Sequence, residues 1–305
     1  MTAPPRRIGV IGLGNMGWPM AANLLKAGFE IAVADARPGR AAQFARDLGG
    51  RAGTDAADAA AGADAVITML PTSAEVAAVI AAIRPALAAG SLVIEMSSGA
   101  PGVTRTLAGE LASGGIALID APVSGGVPRA ERGDLAILTG GAAADLARAE
   151  PILRALGTSI HHCGDVGAGQ AMKALNNLVS AGGFLIGIEA LLVGQKFGLD
   201  PAVMVDVLNA STGMNNSTQK KFKQFVLSRR FDAGFGLDLM VKDLSIALEI
   251  GRASGTATPF AALCREMWAS AAALLGPGQD HTALARLSEQ LAGATLGAPE
   301  TGKEG

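Results

Sequence analysis

Short apolar runs alternate with longer amphipathic segments over the first half of the chain. Residues 8–11 are too few for a helix and predict a buried strand, and residues 21–28 predict a helix ended by Gly28. Further strands are predicted over residues 30–34, 65–70, 92–96, 116–120, 135–138 and 159–162. Such alternation is typical of an α/β fold with a doubly wound, mostly parallel sheet of the Rossmann type.

The pattern changes at Gly167, beyond which every periodic segment indicates a helix. A nearly uncharged stretch from Gly167 towards Lys196 predicts one long helix, and Asp200 and Pro201 form a typical N-cap and first residue of the next. Further helices are predicted over residues 219–227 and 284–291. We therefore predict a dinucleotide-binding domain over residues 1–165, an all-helical domain for substrate binding and oligomerisation over 166–298, and a disordered tail over 299–305.

Composition limits the classes of function. The most apolar stretch, residues 178–194, contains Glu189 and several glycines and falls short of the roughly 20 clean apolar residues of a spanning helix. A net charge of −2 supplies no electrostatic reason to bind nucleic acid or an anionic membrane. Two cysteines and three histidines suggest neither a disulfide framework nor a metal site. We expect a soluble cytoplasmic protein without a metal, nucleic-acid or membrane partner.

A glycine-rich turn lies between the first predicted strand and the first predicted helix. It reads Gly12, Leu13, Gly14, Asn15, Met16, Gly17, which is the spacing G-x-G-x-x-G. The first glycine permits a tight turn, the second lets a pyrophosphate approach the backbone, and the third lets helix and strand pack closely. These six residues are predicted to bind a dinucleotide.

Asp35 ends the next predicted strand, about 20 residues after the first glycine, as the dinucleotide fingerprint requires. A carboxylate at this position accepts hydrogen bonds from the adenosine ribose and repels a 2′-phosphate, so NAD is the predicted cofactor. Arg37 and Arg40 follow closely and would offset that repulsion, so NADP is the alternative. The alternative to a cofactor-binding role is that Asp35 is an ordinary solvated aspartate of a turn.

Turn-forming residues follow three of the predicted strands, where ligands gather in sheets of this kind. They are Leu70 and Pro71, Ser98, and the turn Ser124, Gly125, Gly126. The last turn can direct a hydroxyl and consecutive backbone N–H groups at a small carboxylate. Ser-Gly-Gly is also ordinary loop composition, so the turn by itself leaves both interpretations open.

Lys173 and Asn177 lie four residues apart near the start of the long predicted helix, so their side chains share one helix face. An ammonium against so apolar a surface loses hydration, which favours the neutral amine that a general base requires. Lysines near helix ends also commonly extend to water and do no chemistry. The two glycines before the pair and the dinucleotide fingerprint favour the catalytic interpretation.

With these features placed, the sequence resembles the β-hydroxyacid dehydrogenase family over nearly its whole length. The resemblance rests on the glycine-rich turn, Met69-Leu70-Pro71, residues 120–126, the spacing Gly167-x-Gly169-x-x-x-Lys173-x-x-x-Asn177, and the pair Lys242-Asp243. The related imine reductases resemble this fold, but they replace the lysine that this chain keeps. The phosphogluconate dehydrogenases share the spacing of the lysine and the asparagine, but they have a much longer helical region than this chain.

The resemblance implies a role for each matched residue. Lys173 is expected to be the catalytic lysine, with Asn177 and the turn Ser124, Gly125, Gly126 holding the substrate. By the same match Leu70, Pro71 and Ser98 would contact the dinucleotide, and Lys242 would lie near the cofactor or substrate.

The leading hypothesis is hydride transfer between a nicotinamide cofactor and a small 3-hydroxy acid resembling 3-hydroxyisobutyrate, or its semialdehyde. One alternative is an NADPH-dependent reductase of a small aldehyde acid such as tartronate semialdehyde, and another is a dinucleotide-binding sensor without turnover. Residues 211–216, together with Lys220, Lys223, Arg229 and Arg230, are expected to shape the distal end of the substrate pocket; a solvated basic surface is the alternative for these four residues. Helix faces rich in alanine and glycine suggest a homodimer or homotetramer.

Overall fold

The computed structural model describes residues 5–297, and the tail predicted over 299–305 lies outside them. The chain divides into two compact units between Lys173 and Ala174. This division falls inside one long helix, so the helix starts in the first unit and continues in the second. The predicted boundary after residue 165 lies shortly before it, directly after the last strand.

The first unit is built on a sheet of nine strands within the described residues. They are β1 (Arg7–Ile11), β2 (Glu30–Ala34), β3 (Arg51–Ala52), β4 (Ala65–Thr68), β5 (Leu92–Glu95), β6 (Ala117–Asp120), β7 (Val123–Ser124), β8 (Leu135–Gly140) and β9 (Gly157–Gly164). The order is β3-β2-β1-β4-β5-β6-β8-β7, with β9 also pairing with β8. Strands β1 to β6 are parallel, and β8 runs antiparallel to β6 and β7. The predicted mostly parallel sheet is confirmed.

Helices cover both faces of this sheet. They are α1 (Gly17–Lys26), α2 (Arg40–Leu48), α3 (Ala56–Ala60), α4 (Ser73–Ile83), α5 (Pro101–Ala112), α6 (Gly126–Arg132) and α7 (Ala143–Leu156). Successive strand residues enter two different cores: in β4 Ile67 joins one cluster and Val66 the other. Because both faces are buried, the central strands appear in the sequence as unbroken apolar runs.

The second unit is all helical. Its elements are the long helix α8 (Ala168–Phe197), α9 (Pro201–Asn209), α10 (Asn216–Lys220), a π-helical segment (Phe222–Leu227), α11 (Leu237–Ala253), α12 (Pro259–Leu275), a 3-10 turn (His281–Leu284) and α13 (Ala285–Ala292). Its core centres on the rings of Phe184, Phe222 and Trp268. Asp200 caps α9 as predicted, accepting hydrogen bonds from the N–H groups of Ala202 and Val203.

The prediction of one continuous helix over residues 219–227 is wrong in its bounds and its continuity. Asn215 accepts hydrogen bonds from the N–H groups of Ser217 and Thr218, and Thr218 completes a capping box, so α10 starts at Asn216. Lys221 then leaves the helical conformation, with φ −128° and ψ −44°, before the π-helical segment begins. The expected single basic helix is therefore two short pieces joined at Lys221.

Helix α8 is long and apolar enough to cross a membrane by length and composition alone. The same test is passed by core helices of globular units, and 56% of its most apolar window is buried within the protein. Phe184, Ile188 and Leu191 on its buried face belong to the core of the second unit. This packing is the arrangement expected of a core helix.

Candidate active site

The glycine-rich turn has the steric properties that its spacing predicts. Gly12 has φ +99°, and a Cβ there would lie 2.2 Å from the carbonyl oxygen of Met69. A Cβ on Gly17 would lie 1.9 Å from the carbonyl oxygen of Gly12. No heavy atom lies within 4 Å of the Cβ position of Gly14, so the turn is open there. The two outer glycines are needed for close packing, and the middle one leaves room for a phosphate to approach the backbone.

The non-glycine residues of this turn differ in exposure. Leu13 is fully buried in the core, whereas Asn15 is exposed and Met16 is partly buried. Helix α1 begins at Gly17, directly after the turn. The backbone N–H groups at its first turn are the donors that a helix N-terminus offers to an anion.

Asp35 lies just beyond β2, next to the glycine-rich turn. Its Oδ2 accepts a hydrogen bond of 2.6 Å from the Leu13 N–H, and its Oδ1 accepts from the backbone N–H and Nε of Arg37, both at 2.9 Å. Burial opposes ionisation of this carboxyl, but the hydrogen bonds from Arg37 and Leu13 hold its pKa below the usual value. Asp35 is thus an ionised acceptor beside the predicted dinucleotide site.

Arg37 and Arg40, which made NADP the alternative cofactor, both form hydrogen bonds with the glycine-rich turn. Arg37 Nη2 and Arg40 Nε donate to the carbonyl oxygen of Leu13 at 2.7 and 3.1 Å. The guanidinium of Arg40 also stacks on the Trp18 ring at 3.8 Å. One carboxylate and two guanidinium groups therefore surround the same turn, and the local charge by itself does not exclude a 2′-phosphate.

The carboxyl ends of β4 and β5 bring the next predicted residues together. Strand β4 ends at Thr68, so Leu70 and Pro71 lie in the loop beyond it. The Leu70 N–H donates to Ser97 Oγ at 2.9 Å, which joins this loop to the one after β5. Ser98 is half-buried in that second loop, and Pro71 is exposed. The two segments predicted to contact a dinucleotide are neighbours at one edge of the sheet.

Asp120, the last residue of β6, holds the start of α8. Its Oδ1 accepts a hydrogen bond of 2.6 Å from the Gly167 N–H, and its Oδ2 accepts one of 2.8 Å from the Gln170 N–H. These donors belong to the N-terminal groups that a helix cannot satisfy by itself. A Cβ on Gly169 would lie 2.3 Å from the carbonyl oxygen of Leu138, so glycine permits this close approach.

Gln170 adds a second attachment between α8 and the sheet. Its Oε1 accepts from the Gly99 N–H at 2.8 Å, and its Nε2 donates to the carbonyl oxygen of Ser97 at 2.7 Å. The side chain is buried, so both of its polar ends are satisfied in a dry environment. The loop after β5 and the first turn of α8 are therefore held in one fixed arrangement.

Glu95 is a buried carboxyl beside this attachment. It is the register partner of Asp120 on the neighbouring strand, and its Oε2 has no hydrogen-bond partner among the described residues. Burial is the main cause that raises the pKa of Glu95 to about 7; a hydrogen bond from Thr104 opposes this shift and the nearby Asp120 adds to it. Burial also raises the pKa of Asp120, despite the N–H groups of Gly167 and Gln170.

Lys173 is buried in α8, three residues after Gln170 and therefore on the same face of the helix. Its position in the first unit follows from the two attachments at Asp120 and Gln170. Because hydrogen bonds hold this helix start on the sheet, the backbone position of Lys173 is fixed, unlike that of a lysine on a solvated helix end.

The turn Ser124, Gly125, Gly126 joins β7 to α6. Gly125 and Gly126 have φ +136° and +69°, values that side chains rarely adopt. Ser124 is partly exposed and Gly125 exposed, so the turn is accessible to a ligand. Successive residues of this kind can direct their N–H groups to one side, as in an anion-binding nest.

Asn177 and Lys242 meet around one carboxylate in the second unit. Asn177 Nδ2 donates to Asp243 Oδ2 at 2.6 Å, and Lys242 Nζ lies 3.4 Å from Asp243 Oδ1. Asn177 and Asp243 are both buried. The carboxylate of Asp243 fixes which way the Asn177 amide points.

Three residues of this arrangement were not proposed as site residues from the sequence: Asp120, Gln170 and Asp243. Asp120 begins the segment 120–126 and Asp243 follows Lys242. Their position next to residues that carry the family resemblance was the one signal that could have identified them as site residues. Nothing in the sequence indicated which backbone or amide groups these side chains would bind.

Two family descriptions match the chain, one in each half. Residues 7–164 match the NAD binding domain of 6-phosphogluconate dehydrogenase, and residues 167–288 match the NAD-binding domain of NADP-dependent 3-hydroxyisobutyrate dehydrogenase. The chain belongs to the β-hydroxyacid dehydrogenase family. Family membership makes it a nicotinamide-dependent dehydrogenase that acts on CH–OH groups.

Individual relatives agree with this assignment over most of the chain. A 2-(hydroxymethyl)glutarate dehydrogenase of Eubacterium barkeri is 35% identical and is matched over 95% of this chain and 97% of its own. A 3-hydroxyisobutyrate dehydrogenase of Pseudomonas aeruginosa is 40% identical over 86% and 90%. A solved structure of Mycobacterium tuberculosis 3-hydroxyisobutyrate dehydrogenase with L-serine has a TM-score of 0.87 at 34% identity, covering 93% and 99%.

Proposed function

We propose that this dehydrogenase oxidises the hydroxyl group of a small 3-hydroxy acid with NAD. The observation that carries the proposal is the position of the buried Lys173 at the start of α8. Hydrogen bonds of Asp120 and Gln170 hold this helix start at the carboxyl ends of β5 and β6. In parallel sheets of this kind, ligands bind beyond those strand ends. A base held there has a fixed position relative to the nucleotide-binding turn.

The substrate is bound at its two polar ends. Ser124, Gly125 and Gly126 bind the carboxylate through a hydroxyl and backbone N–H groups, and Asn177 and Lys173 contact the hydroxyl. Lys173 takes the hydroxyl proton during oxidation and returns it during reduction. Asp243 keeps the Asn177 amide oriented through the hydrogen bond of 2.6 Å. Lys242, beside the same carboxylate, lies near the substrate or the cofactor.

The cofactor is held by the residues around the open turn. Gly12, Leu13, Gly14, Asn15, Met16 and Gly17 would form the turn that the pyrophosphate approaches, Asp35 would accept from the ribose, and Leu70, Pro71 and Ser98 would line the adjoining loops. The open space at Gly14 fits a phosphate. When bound, this cofactor would supply the acceptor for the hydride of the carbinol carbon.

The relatives support a 3-hydroxy acid as the substrate. The names of two of them refer to 3-hydroxyisobutyrate and 2-(hydroxymethyl)glutarate, in both of which the hydroxyl lies β to a carboxylate. Arg37 and Arg40 beside Asp35 favour one second candidate, reduction of a small aldehyde acid such as tartronate semialdehyde with NADPH.

The test of the base is the variant Lys173→Ala. We expect kcat for oxidation of 3-hydroxyisobutyrate to fall by at least about 10²-fold, because the variant lacks the proposed general base. Dinucleotide affinity, measured by fluorescence titration, should stay close to that of the unchanged protein. Lys196→Ala, at the other end of the same helix, is the control and should keep full turnover. Activity that survives in Lys173→Ala would remove Lys173 from the role of base.

We further propose that the protein is a cytoplasmic homodimer or homotetramer. Val179, Ile186 and Val193 are spaced seven residues apart on α8 and are more than half exposed. An apolar stripe of this spacing is typical of a helix that packs against another helix.

A further inference from the structure

Lys221 connects the interrupted helix of the second unit with α8. The residue separates α10 from the π-helical segment and is not helical itself. Its Nζ donates a hydrogen bond of 3.3 Å to Ser180 Oγ and lies 6.0 Å from the centre of the Phe184 ring. The ammonium thus rests on α8 and is only partly exposed.

This ammonium has no anionic partner among residues 5–297. No carboxylate there lies within 4.0 Å of it, and the nearest acidic influence comes from Asp280. The oxygens of Asp280 already accept from the N–H groups of Gly234 and Thr282 and from the Thr282 hydroxyl. Burial lowers the pKa of Lys221 to about 8, which still leaves it mostly charged at neutral pH. A largely buried cation without an anion is unfavourable unless a ligand completes it.

The position of Lys221 along α8 is fixed by close packing. A Cβ on Gly187 would lie 2.5 Å from the Phe222 ring, and one on Gly183 would lie 3.4 Å from Asn215 Nδ2. These two glycines let the segment 215–222 lie directly on α8. Within that contact the side chain of Lys221 reaches Ser180.

Ser180 lies three residues beyond Asn177, on the same face of α8 and about 4.5 Å further along the helix axis. The amide of Asn177, fixed by Asp243, and the ammonium of Lys221, fixed by Ser180, therefore lie on successive turns of one face. A substrate that contacts Asn177 and extends along this face reaches the ammonium.

We propose that Lys221 and Ser180 form an anion-binding subsite for a second carboxylate of the substrate. The inference rests on the proposed function, in which Asn177 contacts the reacting hydroxyl. It narrows the substrate class to 3-hydroxy acids that carry a second carboxylate a few bonds beyond the carbinol carbon. An ammonium has three donors and no acceptor, and its charge is unpaired, so a carboxylate complements it better than a neutral group does.

The experiment compares two acids that differ only at the distal end. 2-(Hydroxymethyl)glutarate carries the second carboxylate, and 2-(hydroxymethyl)pentanoate has a methyl group in its place. We expect the unchanged enzyme to favour the diacid, and Lys221→Met to lower kcat/KM for the diacid at least about tenfold more than for the monoacid, mainly through KM. Lys26→Met removes the same charge from an exposed lysine of α1 in the first unit and should leave the ratio unchanged.

A binding measurement separates this inference from the proposed function. Glutarate, which has no hydroxyl to oxidise, should bind the unchanged protein and lose affinity in Lys221→Met by calorimetry. Failure to oxidise 3-hydroxyisobutyrate as well as both of these acids would contradict the proposed function. Oxidation of 3-hydroxyisobutyrate without any preference for the diacid, or an unaltered diacid preference together with unaltered glutarate binding in Lys221→Met, would overturn the subsite. If Lys221→Met does not fold, Ser180→Ala keeps the charge and removes only its hydrogen bond, and it should show a smaller loss of the same kind.

Discussion

At the scale of single residues, we propose that charges around the glycine-rich turn select the cofactor. Asp35 is an ionised acceptor that Leu13 and Arg37 hold in place, and Arg40 lies on the Trp18 ring beside the same carbonyl oxygen. In this proposal Asp35 has two effects: its charge opposes a 2′-phosphate, and it engages the Arg37 guanidinium that would otherwise bind one.

This balance makes a prediction for Asp35→Ser. Without the carboxylate, Arg37 is released to contact a 2′-phosphate, and the ribose loses an acceptor. We expect the ratio of kcat/KM for NAD to that for NADP to fall by about tenfold or more, as the loss of a charged hydrogen bond implies. Steady-state rates with both cofactors measure this ratio.

Asp47→Ser, which removes an exposed carboxylate from α2, is the matched control. An unchanged cofactor ratio in Asp35→Ser would show that the cofactor is selected elsewhere in the fold.

At the scale of elements, the decisive feature is the attachment of the α8 start to the sheet. The carboxylate of Asp120 satisfies two N–H groups of the first turn, and Gln170 binds the loop after β5. Gly169 makes this possible because it has no side chain where α8 passes the Leu138 carbonyl. These contacts thus fix the position of Lys173 at the start of the helix.

Gly169→Ala should therefore be destabilising although alanine favours helices. The added methyl would lie 2.3 Å from the Leu138 oxygen, so we expect the free energy of unfolding to fall by about 2 kcal/mol or more. In the same helix, Gly182→Ala meets its nearest atom at 3.4 Å and should be neutral or stabilising by up to about 1 kcal/mol. Chemical denaturation of both variants tests the pair, and equal stability of the two would contradict a tight α8 start.

At the scale of the whole molecule, α8 presents two chemically different faces. One face carries Lys173 and Asn177, and another exposes Val179, Ile186 and Val193, of which Val179 is 76% and Val193 70% exposed. Isolated exposed apolar residues are ordinary, but a continuous stripe along a helix is typical of an interface.

The stripe predicts the state of association. Sedimentation velocity should show a dimer or tetramer, and Val179→Glu combined with Val193→Glu should shift it towards monomer, because two buried carboxylates per chain oppose the contact. Leu48→Glu, at an exposed leucine of α2 in the first unit, should leave the species unchanged. A monomer at all concentrations before any substitution would refute self-association.

Much of the architecture was predictable because its signals are local. The alternating strands and helices of the first half, the glycine spacing before α1, the cap at Asp200 and the length of α8 all depend on residues close together in the chain. The interruption of the helix over residues 219–227 was not predictable, because Lys221, where the helix breaks, contacts Ser180 and Phe184, about 40 residues away in the chain.

The sequence by itself determined the fold class, the family and the pair Lys173 and Asn177, since periodicity, turn chemistry and spacing along one helix are properties of neighbouring residues. Only the tertiary structure decided which partners orient those side chains. Asp120 reaches Gly167 across 47 positions, Asn177 reaches Asp243 across 66, and Lys221 reaches Ser180 across 41. Such pairings depend on how helices and strands pack, and a linear pattern of apolar and polar residues does not specify them.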